Sequence, residues 1–145
     1  MKLAAALKAF LIVWILTPTA WAQPLWQGSD GERQAIRQTI ESQVEAFRRE
    51  DGRAAFSLAS PAIQQQFQTP ENFMRMVQAG YAPVYRPRQF ELRRTLSVQG
   101  LILQEVFFVG SDLTTMLLLY NMERQSDGSW RINGVFQVQG KEEAT

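Results

Sequence analysis

The sequence predicts an α+β domain. A curved four-stranded antiparallel sheet is expected to wrap around one long N-terminal helix, with short helices closing one end. Three observations carry this. In Glu32–Arg49, Ile36, Ile40, Val44 and Phe47 form a single apolar stripe at helical spacing. From Phe90 onward, four apolar or alternating segments are separated by Gly- and Asp-containing turns. No linker or internal repeat divides the two halves. Helices first and a meander of strands second is the α+β pattern.

Met1–Ala22 is set apart from the rest. Lys2 and Lys8 precede or enter a short apolar run, Ala9–Leu16, which leads to Ala20-Trp21-Ala22. A basic start, a short apolar segment and an Ala-x-Ala end read as a secretory signal peptide. The run is shorter than the roughly 20 residues that span a bilayer. Residues 1–22 are therefore expected to be removed, leaving no stable membrane span and an exported protein, periplasmic or extracellular. Loss of the two lysines turns the formal charge from +1 to −1.

Gln23–Gly31 reads as a flexible lead-in rich in Gly, Ser and Pro. Asp30 is expected to cap the first helix, Glu32–Arg49, and Gly52 to end it in the left-handed conformation. A second helix follows at Arg53–Ala59. Ser60-Pro61 and Thr69-Pro70 are two further start signals, a hydroxyl cap followed by Pro at the first helical position. They open helices Ala62–Phe67 and Glu71–Ala79. Tyr81–Arg88 holds Pro83 and Pro87 and is read as an extended crossing.

The strands are expected at Phe90–Gln99, Leu101–Val109, Thr114–Arg124 and Trp130–Val138. Alternation puts Phe90, Leu92, Leu96 and Val98 on one face, with Arg94 among them. It likewise puts Met116, Leu118, Tyr120 and Met122 inward, and Trp130, Ile132, Phe136 and Val138 inward. Ser126-Asp127-Gly128 is a hairpin signal. Residues 32–139 thus form one domain, and 140–145 a polar tail.

The inventory excludes several chemistries. The chain has no Cys and no His. A thiol nucleophile, a serine–histidine device and the commonest zinc ligands are all absent. No catalytic residue, metal ligand or cofactor is assigned. No basic stripe interleaved with aromatics marks a nucleic-acid surface.

Certain segments resemble a bacterial family, domain of unknown function 4864. They are Tyr85-Arg86-Pro87-Arg88 and Tyr120-Asn121-Met122-Glu123-Arg124, the latter leading through Asp127-Gly128-Ser129-Trp130-Arg131-Ile132-Asn133-Gly134. Ile36–Phe67 and Pro70-Glu71 with Phe73 fit it as well, so the resemblance covers about residues 32–138. Val135 departs from it, since relatives often carry Cys after the glycine. The resemblance implies the cystatin-like, nuclear-transport-factor-2-like cone. That superfamily contains isomerases, dehydratases, epoxide hydrolases, transport factors and binding modules, so the fold does not choose among them.

Tyr81, Tyr85, Arg86, Arg94 and Tyr120 are the candidate ligand-binding residues, polar or aromatic groups expected at the mouth or wall of the cone. Leu117, Leu119 and Val135 are expected on the outer sheet face as a candidate interface. Glu105 is the one carboxylate in an apolar strand, and Asp112 reads as a turn residue. The leading expectation is an exported, non-catalytic module binding a small apolar ligand. The alternative is a homodimerisation or protein-interaction module using the outer face. An isomerase- or dehydratase-like enzyme using buried Glu105 ranks third.

Overall fold

The computed structural model describes residues 25–139. The expected signal peptide and polar tail lie outside the described residues. The element order is α1 (Asp30–Arg48), α2 (Gly52–Ser57), α3 (Pro61–Phe67), α4 (Pro70–Gly80), α5 (Ala82–Tyr85), β1 (Pro87–Val98), β2 (Leu101–Gly110), β3 (Thr115–Arg124) and β4 (Trp130–Gln137). The chain is α+β, and its four strands pair antiparallel in the order β1-β2-β3-β4.

Helix α1 begins at Asp30, two residues before the expected Glu32. Ser29, not Asp30, is the N-cap. Its hydroxyl accepts from the Glu32 backbone N–H at 3.2 Å, while the Glu32 carboxylate accepts from the Ser29 N–H at 2.9 Å. This reciprocal box satisfies two of the donors a helix start leaves open. Ile36, Ile40, Val44 and Phe47 are all buried. At the far end Glu50, not Gly52, takes the positive φ of 57°. Gly52 instead begins α2, capped by Asp51. Any Cβ at Gly52 would sit 2.9 Å from the Met74 side chain, so the glycine admits α4.

Ser60 and Thr69 cap α3 and α4 as the sequence predicts, each followed by Pro. The extended crossing expected at Tyr81–Arg88 is corrected. Ala82–Tyr85 is one helical turn with Pro83 in its first turn. There a missing N–H removes no helical bond, so proline is tolerated. Pro87 then opens β1 on the sheet edge, where a ladder donor is dispensable.

Two bulges decide the faces of the sheet. In β1 the partners run Leu92↔Val106 and then Thr95↔Gln104, so Arg93 and Arg94 together oppose Glu105. In β4 they run Met122↔Ile132 and then Asn121↔Gly134, leaving Asn133 as the extra residue. An extra residue reverses the in–out alternation beyond it. Leu96 pairs with Leu103 and Val98 with Leu101, so both leave the face that Phe90 and Leu92 share. Val135 pairs with Tyr120 and Phe136 with Leu119. Val135 therefore turns toward the helices, and Phe136 turns away from them. Both reverse the positions that simple alternation assigns.

All the helices contribute to one core on the inner face of the sheet. It joins Ile36, Ile40, Val44 and Phe47 of α1 to Val106, Phe108, Leu118, Tyr120, Met122, Trp130 and Ile132. Leu58–Ser60 lies along β4 as a short parallel bridge, with Ser60 N–H donating to the Ile132 carbonyl at 2.8 Å. The Ser60 hydroxyl donates to the Asn133 side chain at 2.7 Å. The bulge residue thus anchors the start of α3 beside the sheet.

Candidate functional site

Helices α3 and α4 do not fill the space between α1 and the sheet. They roof a hollow of about 190 Å³. Gln43 and Phe47 of α1 form its floor with Leu118 and Tyr120 of β3. Ile132 and Val135 of β4 form one wall, and Phe73, Met76 and Val77 of α4 another. Ile63 and Phe67 of α3 complete the roof. Gln66, the exposed residue of the lining, marks the mouth. Its size is comparable to an engineered apolar cavity of about 150 Å³ that takes up benzene.

Among the described residues, no Asp, Glu, Lys or Arg lines the hollow. Its polar groups are few and neutral. Gln43 is buried and its amide donates to the Ala55 carbonyl at 3.1 Å. Among the described residues its side-chain oxygen receives no donor. Tyr120 is only 1% exposed, and its hydroxyl has no protein partner among the described residues. Yet every side-chain N or O fully enclosed by protein there has one. The Tyr120 hydroxyl is therefore not sealed in, and the space it opens on is the hollow. Burial raises its phenol well above the ordinary tyrosine value, and nearby Tyr81 adds to the rise. Tyr81 itself lines the same space.

The remaining sequence candidates lie elsewhere. The Tyr85 hydroxyl donates to Glu50 at 3.1 Å, and Arg86 donates to the same oxygen at 2.7 Å. Arg86 also donates to the Arg48 carbonyl at 3.3 Å, one of the carbonyls a helix end leaves open. These two residues clasp the end of α1. Arg94 pairs with Glu105 at 3.2 Å on the outer face of the sheet. Leu117 and Leu119 are also on that face, opposite Phe107 and Glu105. Of the eight residues singled out, Tyr81, Tyr120 and, by the β4 bulge, Val135 converge on the hollow.

A family model described as Domain of unknown function (DUF4864) matches residues 29–145. The chain belongs to this family. The match begins at Ser29, the N-cap of α1. Neither the curated proteins nor the solved structures gave a match.

Sequence reasoning passed over two polar residues that shape this DUF4864 domain. Gln43 stands three residues after Ile40 and four before Phe47, so the helical period itself puts it on the buried stripe. Gln104 is 0% exposed on the inner face of the sheet, opposite Tyr120. Its oxygen accepts from Thr95 at 2.8 Å, and its amide donates to the carbonyls of Arg93, Arg94 and Glu105. Nothing in the local pattern separates it from an outward glutamine. Asp112 is the turn residue expected, accepting from Thr114 N–H at 3.0 Å and its hydroxyl at 2.6 Å. Among the described residues, no cluster of carboxylates could hold a metal ion, and no helix is long and apolar enough to cross a membrane.

Proposed function

We propose that this domain binds a small, largely apolar ligand in the hollow between α1, α3, α4 and the sheet, and does no chemistry on it. One observation carries the reading: an apolar cavity whose few polar groups are neutral and include a buried hydroxyl without a partner among the described residues. Binding sites are concave, mostly apolar and fitted with a few placed polar groups. The leader-like Met1–Ala22 supports the further reading that the module belongs to an exported bacterial protein. The long helix against a four-stranded sheet supports placing the domain in the nuclear-transport-factor-2-like superfamily, as a cone with its mouth at the short helices.

Acetophenone is a suitable first probe. Titrated into the isotope-labelled protein, it should shift the methyl signals of Ile63, Val77 and Val135 saturably and leave Leu101 and Val98 in place. Val135→Trp should abolish the response by filling the hollow. Shifts confined to the outer-face methyls, or none at all, would defeat the reading.

A second reading has its own observation. Val98, Leu101, Phe136 and Val138 are 37%, 40%, 50% and 38% exposed, and the register puts all four on the outer face with Leu117 and Leu119. Phe136 and Val138 stand beside Leu119 and Leu117, and an exposed apolar face of this kind suits a homodimer or an envelope partner. Sedimentation equilibrium tests it: a dimer that Phe136→Glu dissociates is the expected result, and a monomer at all concentrations counts against self-association. An isomerase or dehydratase role for Glu105 gains no support, because its carboxylate is on the face away from the hollow and is paired to Arg94.

A further inference from the structure

We infer that the hollow selects a neutral molecule of about one aromatic ring carrying a hydrogen-bond-accepting oxygen, which the Tyr120 hydroxyl holds. The inference rests on the reading of the hollow as a binding site and names the chemistry it takes. Three features define the class. The first is size, about 190 Å³, which suits a single substituted ring.

The second is charge. Among the described residues, the walls hold no charged side chain. A carboxylate or ammonium entering would give up its hydration for no counter-ion, a cost far above what the burial of one ring returns. Neutral molecules alone gain by entering.

The third is the pair of Tyr120 and Gln43. The Tyr120 hydroxyl opens on the hollow with no acceptor among the described residues, on a side chain that is 1% exposed. Burial keeps this phenol protonated far above neutral pH, so it is a donor throughout the physiological range. Water can meet its need when the hollow is empty. A pure hydrocarbon would displace that water and strand the donor, whereas a carbonyl or ether oxygen would replace it. The Gln43 oxygen, also without a donor among the described residues, accepts from any hydroxyl the ligand carries.

The test is a double comparison by calorimetry on the whole purified protein. Acetophenone and α-methylstyrene have nearly the same shape, with a carbonyl oxygen in one where the other has a CH2. Tyr120→Phe removes one oxygen that has no hydrogen-bond partner among the described residues, so the variant is expected to keep its fold and melting temperature. The expected result is that Tyr120→Phe weakens acetophenone about tenfold and leaves α-methylstyrene unchanged or tighter, with benzoate binding neither protein. Equal changes for both compounds, or binding of benzoate as tight as that of the ketone, would overturn the ligand class while leaving the hollow a binding site. Binding of none of the three would overturn both.

Discussion

The side-chain amide of Gln104 lies 3.1 Å from the carbonyl oxygen of Arg93, across the β1–β2 ladder. The same nitrogen reaches the Arg94 carbonyl at 3.3 Å. The bulge at Arg93–Arg94 interrupts the ladder, and Gln104 supplies donors where the ladder supplies none. One buried glutamine thereby holds the irregularity that turns Leu96 and Val98 outward.

Gln104→Leu should therefore be costly. It removes the donor from carbonyls beside a fully buried position, and leaving buried acceptors open costs about 1–3 kcal/mol. Gln137→Leu, at an exposed site, should stay within about 0.5 kcal/mol of wild type. Urea unfolding of the two variants checks this, and equal midpoints would contradict the role given to Gln104.

The β4 bulge makes an opposite prediction for two adjacent residues. The protein has no cysteine of its own, so single-cysteine variants report cleanly. Phe136→Cys should react with a bulky maleimide much faster than Val135→Cys under native conditions. Simple alternation predicts the reverse order, so the labelling rates decide between the two registers. Adding Leu117→Glu on the same outer face would speed only the Phe136 position if that face is an interface.

The two buried tyrosines should differ in what their hydroxyls contribute. Tyr85 donates to Glu50 at 3.1 Å, so Tyr85→Phe should lose about 0.5–1.5 kcal/mol. Tyr120→Phe removes a hydroxyl without a partner among the described residues and should change stability by less than about 0.5 kcal/mol. Thermal melts of both variants at one pH are sufficient. A large loss at Tyr120 would mean that its hydroxyl is held by the protein after all.

The capping box gives a pH dependence of known sign. Hydrogen bonds from the Ser29 backbone and side chain, with Arg124 and Arg33 nearby, hold the Glu32 carboxyl below its usual value. A carboxyl depressed on folding stabilises the fold above the ordinary carboxylate range. That contribution fades as pH falls through the range to the lowered value. Glu32→Gln keeps a residue suited to the box but loses the charge. It should be less stable than wild type at neutral pH, and the gap should close in acid. A gap that widens as pH falls would reverse the assignment. Added salt should narrow it at neutral pH, since the site is open to solvent.

The sequence by itself determined the fold class and, apart from the helical turn at Ala82–Tyr85, the elements. Ile36, Ile40, Val44 and Phe47 repeat at the helical period, Ser60-Pro61 and Thr69-Pro70 carry their start signals locally, and Asp127-Gly128 marks its turn. Such signals involve neighbours within a turn or two, so they are written in the chain. Ser29 caps the helix through a local bond too, and Glu32 three residues on is its legible sign. What only the tertiary structure decided is which way side chains point after each bulge. The extra residues at Arg93–Arg94 and Asn133 are held by Gln104 and Ser60, which come from other segments and have no fixed spacing to them. With those anchors, parity flips, Val135 joins Tyr120 in the hollow, and Phe136 takes its place outside. The site itself was half legible for the same reason. An inward Tyr120 follows from strand period, but its lack of a partner depends on where α3 and α4 come to rest, and that is set by packing between segments far apart in the chain.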